Sequence, residues 1–301
     1  MYNRFTMKHK VILFYKYEHI AHPAEYVADT KIFCATHNLT GRVLIAHEGI
    51  NGTIEGDPDD VESYIDWMRK EERLNFLDVD FKDSTGIGDA FPKMKVTLKK
   101  EIVHLGLSDD VDPHKLTGNY MEPKELNELI HSDEEHYIID MRNTHEFAVG
   151  RFVNSIDPGM KHFRNLPDVM DKIKGLKDKK VVTVCTGGIR CEKASGYLKS
   201  QGFENVSQLQ GGMHRYIEQF GGDGWEGSLY VFDKRKVVPP EVGHTVVGKC
   251  SLCGAPNENY RDCELSTCGG HFIGCDNCLG VDGEPYCSTG CEVIGLEQKV
   301  A

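Results

Sequence analysis

Cys185, Thr186, Gly187, Gly188, Ile189 and Arg190 stand where an apolar, β-branched run, Val181-Val182-Thr183-Val184, gives way to a helical pattern that continues to Gln201. The run predicts a buried strand. The two glycines allow a tight loop after it. A cysteine on such a loop lies among backbone N–H groups at the positive end of a helix dipole, and both favour thiolate over thiol. The predicted chemistry is therefore that of a reactive sulfur. Arg190 would add positive charge, and Thr186, Gly187, Gly188 and Ile189 would supply N–H groups for an anionic adduct. The bland alternative is a small residue closing a strand, which free cysteine often is. Cys191, one turn into the helix, is a candidate to resolve an oxidised Cys185 as a disulfide, or else a buried helix residue.

The elements that must hold this loop are read from the chain as a whole. Its 301 residues, 40% of them hydrophobic, suit two or three globular domains. No apolar run approaches the ~18 residues of a membrane span, so no membrane is expected. The N-terminus is too interrupted by charge for a signal peptide. Eleven cysteines could indicate secretion, but eight of them crowd between Cys250 and Cys291. That distribution argues for a reducing cytoplasm, with catalytic and metal-binding roles. The net charge of −12 speaks by itself against a nucleic-acid partner. Locally, Lys161–Lys199 holds ten Lys/Arg against Asp168, Asp171, Asp178 and Glu192. That segment is either a steering surface for an anionic substrate or the solvated face of surface helices.

Residues 1–105 read as a front domain. Strands are expected at His9–Glu18, Gly41–His47, Leu74–Phe81 and Lys93–Lys99, with helices at Ala24–Asn38 and Asp57–Glu72. In the second helix Asp57 is the N-cap, Pro58 the first helical residue, and Val61, Tyr64, Ile65 and Met68 the buried stripe. In the first, Tyr26, Val27, Ile32 and Phe33 lie on or near one face. The arrangement suggests a ferredoxin-like βαββαβ domain. Asn51-Gly52 is a hairpin-turn signal, preceded by His47 and Glu48. Residues 106–122 read as a linker. Residues 123–222 alternate strands and helices, which implies a parallel sheet covered on both faces with the Cys185 loop at its carboxyl edge. Asp140, Arg142 and Glu146 are expected to be structural anchors of this domain. Overall the class is mixed α/β and α+β with several domains.

Residues 223–301 change texture. Leu229–Phe232 and Lys236–Val238 are expected to pair around Asp233-Lys234-Arg235. Then follow Cys250, Cys253, Cys263, Cys268, Cys275, Cys278, Cys287 and Cys291. Two CxxC pairs at this separation match structural zinc sites, and eight cysteines suffice for two four-cysteine sites, with His271 as a substitute ligand. A segment so short and glycine-rich needs some staple. Zinc is the expected ion; disulfides or redox thiols are the rivals, and spacing leaves the pairing open.

The loop Cys185-Thr-Gly-Gly-Ile-Arg190 resembles the active loop of the rhodanese superfamily. Four residues separate Cys185 from Arg190, fewer than a cysteine phosphatase uses to cradle a tetrahedral phosphate, which suits a persulfide or other small adduct. Tyr137-Ile-Ile-Asp140-Met-Arg142 with His145-Glu146, and Leu209-Gln-Gly211-Gly212-Met213, resemble further rhodanese segments. Gly150–Ser155 resembles another but departs from it at three positions. Together with His47–Thr53 in front and the cysteine-rich tail, the whole resembles the bacterial rhodanese-domain tRNA uridine hydroxylases. The resemblance implies a cytoplasmic oxidoreductase acting on the tRNA anticodon loop. It would install 5-hydroxyuridine at the wobble position, with molecular oxygen as co-substrate and Cys185 as the essential cysteine and persulfide carrier. No flavin, haem or non-haem iron motif is evident, so no organic cofactor is expected, and the residues name no electron donor. Two other functions use the same features: a sulfurtransferase working through a Cys185 persulfide, and a non-catalytic adaptor binding RNA or protein through the front domain and a zinc tail.

Overall fold

The computed structural model describes residues 8–107 and 111–300. The front domain runs β1 (Lys10–Tyr17), α1 (Pro23–Thr36), β2 (Thr40–Ala46), β3 (Gly49–Gly56), α2 (Pro58–Arg69), β4 (Lys82–Thr85) and β5 (Met94–Leu98). Its sheet has the order β4-β1-β3-β2-β5. Strands β1 to β4 form a ferredoxin-like sheet, with β3, absent from the strands expected, at its centre; β5, expected at Lys93–Lys99, extends the sheet parallel to β2. Helix α2 forms as read: the Asp57 side chain accepts from the Asp59 N–H at 3.0 Å, and Val61, Tyr64, Ile65 and Met68 are buried. In α1 the inward positions are Tyr26, Val27, Thr30 and Cys34, while Ile32 points outward.

Two expectations here are corrected. Asn51-Gly52 is no turn. The turn falls at His47-Glu48, and Asn51 and Gly52 lie inside the central strand β3. The glycines serve close approach instead. Gly52 pairs with Phe14 on β1, and a Cβ at Gly52 would lie 2.4 Å from the Phe14 ring. Gly49, at φ +147°, would place a Cβ 2.1 Å from the Lys16 carbonyl. Cross-strand packing, invisible to a local turn rule, decides the matter. Second, residues 74–81 are not a strand. They are irregular, with Phe76 and Val79 buried, and the edge strand begins only at Lys82.

The middle domain follows: β6 (Asn119–Met121), α3 (Pro123–Ile130), β7 (Tyr137–Asp140), α4 (Thr144–Val149), β8 (Gly150–Phe152), α5 (Leu166–Val169), β9 (Lys180–Val184), α6 (Ile189–Ser200), β10 (Asn205–Leu209) and α7 (Gly212–Phe220). Its four-stranded sheet, β6-β10-β9-β7, is wholly parallel. Successive residues of β9 feed opposite cores. Val181 packs with Ile139, Leu198 and Val206; Val182 and Val184 pack with Ile138, Leu209 and Met213. Both faces are buried, which is why the run is continuously apolar rather than alternating.

The stretch expected to be a linker is largely built into this domain. Val111 packs in the same core as Leu105, and Asn119–Met121 is β6 of the sheet. The boundary after Gly222 is likewise blurred. β11 (Trp225–Gly227) pairs with β8, and Trp225 and Leu229 join the second core. β12 (Leu229–Tyr230) then pairs with β13 (Val237–Val238) in the expected hairpin. The tail adds β14 (Tyr260–Asp262), its antiparallel partner β15 (His271–Ile273), a single 3-10 turn at Asp276–Cys278, and α8 (Thr289–Val300).

Candidate active site and cysteine clusters

Cys185 follows β9 directly and is fully buried at the carboxyl end of the sheet. The loop turns at Gly188, φ +103°, and α6 starts at Ile189. The Gly188 N–H donates to the Cys185 Sγ at 3.2 Å. Burial pushes this thiol up. The Cys191 thiol, the Arg190 charge and the Cys191 and Arg190 N–H groups outweigh burial, and hold Cys185 down at about 6. Cys191 moves the opposite way: burial and the neighbouring Cys185 push it well up. Within the pair the surroundings favour Cys185 as the thiolate and Cys191 as the thiol. A second loop clasps the first: the Met213 and His214 N–H groups donate to the Cys185 and Thr186 carbonyls at 2.9 and 3.0 Å. Gly212, at φ +68°, permits this, since a Cβ there would lie 2.6 Å from the Cys185 carbonyl oxygen.

Arg190 owes its place to Glu146, a residue whose partner sequence reasoning did not identify. The two Arg190 Nη atoms donate to the Glu146 carboxylate at 2.6 and 2.7 Å, and Glu146 is wholly buried. Burial pushes Glu146 up, but the Arg190 charge and hydrogen bonds hold it below the usual carboxylate range. The pair is bidentate, so the guanidinium is fixed in direction as well as position. Asp140 and Arg142 form a second buried pair at 2.7 Å, with Arg142 also donating to the Gly150 carbonyl. A buried charge without its partner is costly, so both pairs bind the turn after β7 to the rest of the domain.

The front domain closes over the loop. A Cβ at Gly187 would lie 3.0 Å from Leu13, and one at Gly188 2.7 Å from the Tyr15 hydroxyl. The Tyr15 hydroxyl donates to Glu192 at 3.0 Å, and the Tyr17 hydroxyl to the Ile189 carbonyl at 3.3 Å. Glu192 also accepts from Tyr120 and Gln208, each at 3.0 Å. The next residue, Lys193, fully buried, donates to Glu48 and Glu101 at 2.9 and 2.7 Å. Glu48 thus works as an anchor between domains. The basic segment Lys161–Lys199 does not form a single steering surface. Arg190 and Lys193 are buried in ion pairs, and Lys174, Lys179 and Lys180 pair with Asp171, Glu135 and Glu134.

A cleft of about 1610 Å³ opens beside the loop. Lys82 and Leu13 of the front domain, Thr186 and His214 of the middle domain, and Phe232 and Arg235 of the tail line it. Burial pushes the His214 imidazole down to about 4, so it is neutral at physiological pH. Lys82 is buried beside Asp80 at 2.8 Å and lies 5.4 Å from the Tyr15 ring centroid.

The tail cysteines divide into two groups: Cys250, Cys253, Cys275 and Cys278, and Cys263, Cys268, Cys287 and Cys291. The groups interleave along the chain. Within each, all four sulfurs lie within 4.8 Å of one another. The sulfurs of Cys253 and Cys275 are 3.7 Å apart, and those of Cys268–Cys287 and Cys287–Cys291 3.5 Å apart. These separations are too long for disulfides, which measure about 2.05 Å. Four thiolates about 2.3 Å from a central ion in a tetrahedron lie close to such separations. Each group could therefore hold a metal. His271 is not a ligand: its Nδ1 pairs with Asp262 at 2.6 Å and its Nε2 meets the Tyr230 hydroxyl at 3.1 Å.

Residues 9–102 match the family described as the UPF0176 acylphosphatase like domain, residues 122–219 the rhodanese-like domain, and residues 226–292 the rhodanase C-terminal domain. A tRNA uridine(34) hydroxylase of Staphylococcus haemolyticus is 45% identical over 271 residues, covering 89% of this chain and 84% of that one. Its namesake in Bacillus licheniformis is 43% identical over 270 residues, covering 88% and 83%. Among solved structures, a rhodanese-like domain from Anabaena is 21% identical, covers 37% of this chain and 80% of that one, and superposes with a TM-score of 0.32. No helix among the described residues is long and apolar enough to cross a membrane. With relatives of this identity and coverage, the chain belongs to the tRNA uridine(34) hydroxylase family.

Proposed function

We propose that this protein is a cytoplasmic oxidoreductase that hydroxylates C5 of the wobble uridine in the tRNA anticodon loop, with oxygen as co-substrate and Cys185 as nucleophile. The observation that carries the reading is a buried cysteine favoured as thiolate on a loop whose next residue, Thr186, lines a cleft large enough for a nucleotide. The names of the curated relatives supply the substrate class. A wobble base projects from a single-stranded loop and is open to insertion into a protein pocket.

The chemistry runs as follows. The Cys185 thiolate adds to C6 of uracil, and the electron pair of the C5–C6 bond moves toward C5 and O4. Arg190 and the loop N–H groups offset the change in charge at the sulfur. C5 then bonds to oxygen, which takes up that pair and a proton as a C5 hydroperoxide. Two electrons and two protons from a thiol reductant cleave the O–O bond, giving the C5 hydroxyl and water. Loss of the C5 proton expels Cys185 from C6 and restores the ring as 5-hydroxyuracil. Cys191, a thiol beside the nucleophile, is positioned to protect an oxidised Cys185 as a disulfide.

We also propose zinc in each tail cluster, bound by Cys250, Cys253, Cys275 and Cys278 and by Cys263, Cys268, Cys287 and Cys291. Closed four-thiolate sites suit a structural ion that supplies folding energy and no catalysis.

The test is nucleoside mass spectrometry of tRNA from cells lacking the gene, complemented with the wild type or with Cys185→Ser. Restoration of 5-hydroxyuridine derivatives by the wild type alone is expected. Unchanged nucleosides in all strains would sink the reading in favour of sulfur transfer or an adaptor. A covalent complex with tRNA carrying 5-fluorouridine tests the C6 addition separately.

A further inference from the structure

Phe232 stands apart from the other aromatic residues around the reactive loop. Tyr15 and Tyr17 are spent on hydrogen bonds to Glu192 and the Ile189 carbonyl. Phe232 has no polar group, is 54% exposed, and faces the cleft. Its ring centroid lies 5.7 Å from the Arg190 guanidinium carbon, and it meets Tyr230 edge to face at 5.4 Å. The guanidinium that supports Cys185 therefore covers part of this ring, while more than half of the residue is left to solvent.

The hairpin carrying Phe232 is braced from both sides. Within it, the Val231 N–H donates to the Lys236 carbonyl at 2.8 Å, and Lys236 takes the left-handed φ of +62° that the turn needs. Across the cleft, Arg235 donates to the Ser84 hydroxyl and the Thr85 carbonyl at 2.9 and 2.8 Å, and the Lys234 N–H donates to the Ala90 carbonyl at 3.0 Å. Three domains thus hold one exposed aromatic ring in a defined place beside the reactive loop. An exposed phenyl ring has a hydration cost, and a rigid one loses little entropy on taking a flat partner.

The charge of the cleft narrows the partner. Asp57, Asp59, Asp83, Glu218 and Glu241 line it, more carboxylates than the cations Lys10, Lys82 and Arg235. A phosphate backbone is poorly received there, whereas a neutral planar ring is not opposed. We infer that Phe232 is the stacking platform for the unpaired pyrimidine base presented to Cys185, with the nucleotide's phosphates remaining at the cleft mouth. The inference rests on the hydroxylase reading and adds to it the surface that receives the base.

The experiment uses the full chain and an anticodon stem-loop RNA. With uridine at position 34, Phe232→Ala should lower kcat/KM by about 5- to 150-fold, the range of one base–aromatic stack. Phe232→Leu should fall nearly as far, and Phe232→Trp should recover most of the loss. The pH profile of Cys185 alkylation should stay the same in all three. With pyrrolocytidine at position 34, the wild type should quench the base fluorescence and Phe232→Ala should not. Equal quenching by both proteins overturns the inference. So does a Phe232→Leu variant with wild-type kcat/KM, which would make the ring mere apolar filling, or an altered alkylation profile at unchanged KM, which would make Phe232 a support for Arg190. If the wild type quenches the probe and forms no 5-hydroxyuridine, the hydroxylase reading fails while the platform stands.

Discussion

Cys185 follows a strand packed on both faces, whereas Cys250–Cys291 lie in a segment whose strands span three residues each. The same side chain serves opposite ends in the two places. In the middle domain Cys185 is one of many buried side chains in a large core, so N–H groups and a guanidinium are free to be arranged around one sulfur and hold it ionised. In the tail the sulfurs themselves gather the chain, because Leu265, Phe272, Ile273 and Tyr286 are few buried side chains for so long a stretch. Reactivity thus depends on a scaffold that is stable on its own, and cysteines in the tail take the place of that scaffold.

Stripping metal is the strongest way to break this comparison. A chelator with a thiol reagent should release two zinc ions per chain and open the tail to protease, with site energies on the order of 10 kcal/mol at stake. Residues 123–222 should keep their amide protection from exchange. Equal loss of protection in both regions would mean that the middle domain is not self-sufficient. Next in size, Cys185→Ser should lower single-turnover formation of 5-hydroxyuridine by about 1,000-fold or more, with two zinc ions retained by metal analysis.

Glu146→Ala should cost about 3–5 kcal/mol in a denaturant melt, because it leaves the Arg190 charge buried without its carboxylate. A loss no larger than for a surface substitution would show that Arg190 finds another partner. A pH series sharpens the contrast more gently. Cys185 is held at about 6, so its alkylation should rise with pH through that value as thiol becomes thiolate, and level off above it. Arg190→Met should move the midpoint upward, since a charge that favours thiolate is gone. The smallest effect is expected for Tyr120→Phe, which removes one donor to Glu192 and should cost about 0.5–1.5 kcal/mol.

Much of the architecture was legible because it is written in local patterns. The Val181–Val184 run, the glycines after Cys185, the Asp57-Pro58 cap and the stripe of α2 each act within a few residues, and each forms as read. Where the reading failed, a distant contact overrode a local rule. Asn51-Gly52 has the chemistry of a turn, but Phe14 on the neighbouring strand needs the space above Gly52. The stretch between Gly106 and Met121 has the composition of a linker, yet Val111 and β6 are drawn into the middle domain. The charge of Lys161–Lys199 was countable, but which lysines are buried in ion pairs was not.

The sequence by itself determined a reactive cysteine on a strand–loop–helix turn, a parallel-sheet domain behind it, a ferredoxin-like domain before it, and a tail with enough thiols for two metal sites. These follow from spacing and periodicity, which depend on neighbours along the chain. Only the tertiary structure decided that Glu146, 44 residues away, clamps Arg190, that Lys193 joins Glu48 and Glu101, and that Tyr15 roofs Gly188. It also sorted eight equivalent thiols into two interleaved sets. Such pairings depend on where packed elements bring side chains together, and burial then makes each partner indispensable, since a lone charge away from water is far costlier than the pair.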